Sequence, residues 1–207
     1  RANPVIDGVD VTEACPIIEA YNDSGRLDSP GGWLFNVWWQ VNDASDFWSD
    51  SFDLAEPLTT PRVMNTASAG SIAALGEAVQ NLRDHGIPLD ASYGDVQRAF
   101  YSGDPIPIHG CNTGCWQAIA SPVGDSSSFP YGVVGAGSST VQFTEFKKGG
   151  PTGNWILTYS QSEAPGKNKH NRDQTKLFSK SKLVPMRFTG AEIRSDPALK
   201  VYTVGSG

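Results

Sequence analysis

The chain has 207 residues, 39% of them apolar, enough for a packed core and too many for wholesale disorder. A net charge of −6 argues against a nucleic-acid backbone as partner, and no apolar run approaches the ~18 residues that span a bilayer. Charged residues are only 18% while Trp (6), Tyr (6) and Phe (9) are many, so part of the surface is expected to be covered by something else.

In chain order, Thr12 to Ala20 reads as a short helix, with Thr12 as N-cap, Pro16 confined to the first turn and Cys15 a small core residue. Asn22-Asp23-Ser24-Gly25 supplies turn chemistry, and Asn22-Asp23-Ser24 is also a formal glycosylation triplet. Gly32 to Gln40 holds Trp33, Trp38 and Trp39 without strict alternation, so a helix buried on most sides is expected rather than a half-exposed strand. Asp53 to Arg62 is a Pro-punctuated connector. Ser71 to His85 carries Ile72, Leu75, Val79 and Leu82 at helical spacing, with Ser71 as cap and Gly86 as stop. Leu89 to Phe100 looks irregular and then short-helical, and Gly103 to Gly137 is rich in Gly, Pro and Ser, as a long loop region would be.

The remainder changes character. Thr140 to Phe146 is rich in β-formers, Lys147 to Pro151 turns, and Asn154 to Tyr159 returns as a second strand. Alternation there is expected to send Trp155 and Leu157 into the core and Ile156 to the opposite layer. Arg172 to Ser179 suits a short helix and Val184 to Phe188 a third strand, and Thr189 to Glu192 is a capping-box pattern. The class is α+β.

Self-contained chemistry is hard to find. There is no G-x-S-x-G elbow and no Walker lysine loop, and the glycines of Gly132 to Gly137 have the wrong spacing for a phosphate cradle. Asp90, Asp95 and Asp104 are scattered, with nothing to pair them for glycoside hydrolysis. His85 closes a helix, where a histidine suits the carbonyl end, and His170 sits in a polar run. Cys111-Asn112-Thr113-Gly114-Cys115 is a C-x3-C loop. It is a disulfide candidate suited to an oxidising compartment, with free thiols or a metal site with His109 as the competing readings. Zinc needs four ligands, and no fourth stands near.

A resemblance supplies what the residues alone do not. Ile156 to Pro165, followed by Asp173-Gln174, Leu177-Phe178-Ser179 and Pro185-Met186-Arg187-Phe188, resembles the C-terminal signature of the penicillin acylase family. Gly166 to His170 replaces the compact Pro-containing turn usual there, and Asn171-Arg172 precede Asp173. Upstream, Ala14-Cys15 through Asp28-Ser29 and Leu34-Phe35 is similar to the subgroup of acyl-homoserine lactone and aculeacin A acylases, with Pro30 where Arg is usual. Phe52-Asp53 through Thr60-Pro61, Leu89-Asp90, Gly94-Asp95-Val96-Gln97, Pro107-Ile108-His109-Gly110 and Gly137 to Gln142 also fit. The likeness spans about residues 12–196.

The resemblance implies an N-terminal-nucleophile hydrolase with a four-layer αββα fold, of which this chain would be an incomplete part. Such a precursor cleaves itself into an α subunit and a β subunit whose first residue is the catalytic serine. That serine's own α-amine serves as base, and backbone N–H groups with an Asn hold the oxyanion. Arg1 carries neither hydroxyl nor thiol, so nucleophile and oxyanion residues are expected upstream, and no catalytic residue is assigned within this chain. Because the chain starts at Arg1 with no signal-peptide apolar region, it is expected to be a processed or truncated piece. On this reading residues 1–207 are the C-terminal portion of a β subunit, 1–136 mostly helix and loop and 137–207 core strands and a C-terminal turn.

Its expected partners are the α subunit, the rest of the β subunit and a small acylated-amine substrate, with no nucleic acid and no membrane span. The expected location is periplasmic or secreted. No cofactor is implied beyond a structural calcium that the family allows, with its ligands upstream. The other reading is a free-standing secreted binding module that uses Trp33, Trp38 and Trp39 as a ligand platform.

Overall fold

Local signals account for most elements of the computed structural model, which describes residues 4–42, 47–60, 63–99, 104–111, 119–120, 132–161, 170–200, 202 and 204–205. The first elements are β1 (Val5–Ile6), β2 (Val9–Asp10), α1 (Ala14–Ala20), α2 (Gly32–Val41), α3 (Ala69–Asp84) and α4 (Tyr93–Val96). Short strands follow, β3 (Gln97–Ala99), β4 (Ile106–Pro107), β5 (Ile119–Ala120), β6 (Gly132–Val133) and β7 (Ala136–Gly137). The last elements are β8 (Thr140–Lys147), β9 (Gly150–Leu157), α5 (Asp173–Ser179), β10 (Val184–Pro185) and α6 (Gly190–Ser195). The chain divides into two units, Arg1–Gly137 and Ser138–Gly207. Helix and strand are mixed throughout, as in an α+β chain.

The core of the first unit is a helical seam. Trp33, Leu34, Val37 and Trp38 of α2 meet Ala74, Ala78, Val79 and Leu82 of α3, with Val11 and Ala14 beneath and Tyr93 and Val96 at one end. Trp33 and Trp38 are only 2% and 7% exposed, and half-buried Trp39 meets Phe47 edge-on at 5.1 Å. The tryptophan cluster is therefore core and offers no ligand platform. The small residues on α3 explain how two tryptophans fit: alanines let the helices approach while the indoles fill the gap.

Several expectations need correction. Thr12 does not cap α1; its hydroxyl turns back to Asp10 Oδ1 at 2.6 Å, and Glu13 occupies the cap position without a side-chain bond. Cys15 is half-buried, packed against the core rather than inside it. The cap of α3 is Ser68, not Ser71: its hydroxyl accepts from the Ser71 amide at 3.0 Å. Ser71 lies inside the helix and is buried, while Ile72 is exposed. Gly86, at φ +65°, does stop the helix, as a residue without Cβ can. Gln97–Ala99, given no strand from sequence, is the centre of a sheet ordered β4-β3-β6. It pairs antiparallel with β4 and parallel with β6.

In the second unit, β8 and β9 form an eight-residue antiparallel hairpin from Thr140↔Leu157 to Lys147↔Gly150, and β10 joins β9 with Val184 opposite Trp155. The return strand starts four residues earlier than expected, and the third strand is only two residues long. Ile156 is fully buried, and Thr158 lies on the same side at 1% exposure, whereas Trp155 and Leu157 are half-buried. Trp155 and Leu157, expected in the core, are thus less buried than Ile156 on the opposite face. Helix α5, with buried Thr175 and Phe178, packs against β9 and covers that strand. Helix α6 opens with the anticipated capping box between Thr189 and Glu192.

Candidate functional site

Polar side chains of the first unit converge at α4 and the strand it leads into. Ser92 and Asp95 form a capping box, with the Asp95 carboxylate accepting from the Ser92 amide at 2.8 Å and hydroxyl at 2.6 Å. Those bonds from Ser92 hold the Asp95 pKa below the usual aspartate value. Gly94 donates its N–H to the Leu27 oxygen at 2.9 Å, and a Cβ there would strike that same carbonyl, so only glycine fits the approach. Val96 is core, and Gln97 is buried with its amide nitrogen donating to the carbonyls of Ile108 and Gly110, each at 2.9 Å.

Gln97 thereby holds the segment that carries His109 and Cys111. Gly110 N–H adds a bond to the Gly25 carbonyl at 2.9 Å. Cys111 is disulfide-bonded and Cys15 is a free thiol; Cys115 lies outside the described residues. A disulfide sulfur is no thiolate, so Cys111 cannot serve as a metal ligand with His109. Among the described residues, no three His, Cys, Asp or Glu side chains converge to hold a metal ion. Near the same helix, burial pushes the Tyr21 and Tyr93 phenols up. Raised phenols are poorer acids at neutral pH.

A second convergence lies in the other unit, where Asp173-Gln174 ties α5 to the end of β9. Gln174 Oε1 accepts from the Leu157 amide at 2.9 Å, and the Thr175 amide donates to Ser160 Oγ at 2.8 Å. Ser160 adopts a left-handed φ of +55°, which aims its hydroxyl into that knot. His170 Nδ1 lies 2.7 Å from Asp173 Oδ2, and the Gln161 amide donates to the His170 carbonyl at 3.1 Å. Ser162 lies outside the described residues. His85 caps α3, its Nδ1 donating to the Asn81 carbonyl at 2.7 Å.

A shallow depression of about 330 Å³ is lined by Met186, Arg187, Glu192, Ser195, Asp196 and Pro197. Its acids are engaged as well. The Phe188 and Thr189 amides lower the Glu192 pKa, and the Ala198 amide, then Arg187 at 2.6 Å, lowers that of Asp196. Among the described residues, the shifted carboxylates go down, toward the charged form. A general acid near neutral pH needs the opposite shift. These groups cap helices and tie loops.

The penicillin amidase family model matches residues 2–195, nearly the whole chain. The chain belongs to the penicillin amidase family. Among its curated relatives, aculeacin-A acylase of Actinoplanes utahensis is 32% identical over 199 residues, covering 95% of this chain and 24% of that protein. The acyl-homoserine lactone acylase PvdQ of Pseudomonas syringae pv. syringae is 30% identical over 208 residues, 95% of this chain and 26% of that protein. PvdQ of Pseudomonas savastanoi pv. phaseolicola is 29% identical over 202 residues, 94% of this chain and 25% of that protein. The chain spans about a quarter of the length of these relatives.

Family membership gives the two polar convergences a common sense. Gly94-Asp95-Val96-Gln97 and Asp173-Gln174, both points of resemblance to the family, are the residues whose side chains or missing side chain hold the local backbone. Residue type alone announced neither the paired bonds of Gln97 nor the bond of Gln174 to Leu157. Besides the family motifs, the signal was an amide close to apolar residues, Val96 and Ala99 for Gln97, Leu177 and Phe178 for Gln174. Donors and acceptors in such a setting must be met once buried.

Proposed function

We propose that this chain is the C-terminal part of the β subunit of an acylase, and that it supports the catalytic machinery without supplying it. The reaction is hydrolysis of an amide joining an acyl group to an amine-bearing headgroup. An N-acyl-homoserine lactone, a lipopeptide acyl chain or a β-lactam side chain are the candidate substrates. The observation that carries this reading is the match of 94–95% of the chain to only a quarter of each acylase relative. Nucleophile, base and oxyanion donors then lie upstream, with the α subunit and the rest of the β subunit as partners. The chain's own polar side chains agree with a supporting part, since the shifted carboxylates are held in caps and loop ties. A periplasmic or secreted location follows from the disulfide at Cys111, which suits an oxidising compartment; Cys115 is its proposed partner.

The test is purification through a tag on this chain, with an intact mass spectrum to identify co-purifying chains and an assay for release of acid from N-acyl-homoserine lactones and acylated lipopeptides. Hydrolysis by the assembled protein and none by residues 1–207 alone is expected. Turnover by the isolated chain would sink the supporting role.

A further inference from the structure

Residues 47–60 and 63 hold large apolar side chains in water on a hydrogen-bonded backbone. Leu58 is 97% exposed, Leu54 85%, and Phe52, Val63 and Trp48 are also exposed. Single exposed apolar residues are ordinary, but several on one loop mark an interaction site. The loop is closed at its base by the Ser49 amide on the Val63 carbonyl at 2.9 Å and the Trp48↔Met64 bridge. Inside it, the Asp53 amide donates to Thr60 Oγ1 at 2.9 Å, Asp53 Oδ1 accepts from the Ala55 amide at 2.8 Å, and the Glu56 carbonyl accepts from the Thr59 and Thr60 amides. These bonds set the backbone of the tip before any partner arrives, which lowers the ordering cost of docking.

We infer that this closed loop, through Leu54, Leu58 and Phe52, is an anchor that docks onto the upstream portion of the same acylase, in an apolar depression with a basic rim. The inference rests on the reading under Proposed function. Two observations choose this occupant. The relatives are about four times as long as the chain, so most of the protein surface available to meet the loop lies outside it. Residues 47–60 carry Asp50, Asp53 and Glu56 and no Lys or Arg, so the surface they meet is expected to be positive at its edge. An anionic lipid surface would be repelled by the same charges.

The assembled enzyme, in a Cys15→Ser background with the Cys111 disulfide intact, would carry Leu58→Cys, and labelling is read by mass spectrometry at the peptide that contains position 58. Maleimide labelling of native protein is compared with labelling under denaturant, and a mass spectrum records which chains co-purify. The expected result is co-purification of the upstream portion and labelling at least tenfold slower in the native state. Co-purification with labelling at the denatured rate overturns the anchor and leaves the acylase reading standing. Absence of the upstream portion overturns both. Protection that disappears on dilution to a single copy assigns the loop to a second copy of the chain and overturns the inference. As a second measurement, the double variant Leu54→Asp, Leu58→Asp is expected to reduce the recovery of folded assembled enzyme about tenfold, with Ile72→Asp, an exposed position on α3, as the unaffected control, and equal recovery of both variants overturns the anchor.

Discussion

The indole N–H of Trp38 donates to the main-chain oxygen of Ser71 at 2.9 Å, inside the seam where α2 crosses α3. The bond meets the one polar group of a nearly buried tryptophan and joins two helices 33 residues apart in sequence. The same Ser71 also donates its amide N–H to the Ser68 hydroxyl that caps α3, at 3.0 Å.

Trp38→Phe should keep most of the packing and lose the donor, at a cost of about 1–3 kcal/mol. Trp38→Ala should cost more, about 3–5 kcal/mol, since a cavity is added. Urea unfolding of the assembled protein checks this through a lower midpoint at unchanged slope. A Trp38→Phe midpoint equal to wild type would show the bond to be energetically neutral.

Gln97→Leu should leave the Ile108 and Gly110 carbonyls without their buried donor, a loss of about 2–4 kcal/mol for two unmet acceptors. Hydrogen exchange should rise at residues 108–111 before it rises in α3. Unchanged exchange there would remove the clamp assigned to Gln97.

The Asp95 pKa is lowered in the folded state by its bonds from Ser92, so folding favours its ionised form. Its contribution is fully present above the unfolded-state value and is lost as pH falls through the lower folded value. Wild type should therefore exceed Asp95→Asn in stability at pH 7, with the gap closing as pH falls below the ordinary aspartate range. Denaturation midpoints of both proteins from pH 7 to pH 2 decide it, and a gap independent of pH would contradict the assignment.

A thiol count on denatured, non-reduced protein should give one thiol, from Cys15. Reduction should release two more. The loop between Cys111 and Cys115 is short, so the stability lost on reduction should be near the low end for disulfides, about 2 kcal/mol. Three thiols before reduction would rule out the pairing.

His109→Ala in the assembled enzyme should lower the yield of titratable sites while turnover per site stays within about twofold of wild type. Active-site titration alongside turnover separates the two. A loss of about a hundredfold per titrated site, typical of an acid–base residue, would give His109 a part in the chemistry.

Elements with short-range causes were legible from residues alone. The Thr189–Glu192 box, the stop at Gly86 and the β8–β9 hairpin each depend on groups a few residues apart along the chain, so the sequence carries them directly. Family membership was legible too, because ordered motifs over nearly the whole chain survive without any knowledge of contacts. The choice of buried face was not. Ile156 is fully buried and Trp155 half-buried on a strand that α5 contacts, and alternation alone treats the two faces alike. Strand β3 was invisible because its partner β6 lies more than thirty residues onward, and three residues hold too little pattern to announce a strand. The roles of Gln97 and Gln174 likewise depend on carbonyls and amides brought near only by folding. Periodicity and capping chemistry act within a turn or two of backbone, whereas burial and polar satisfaction depend on which distant surface arrives.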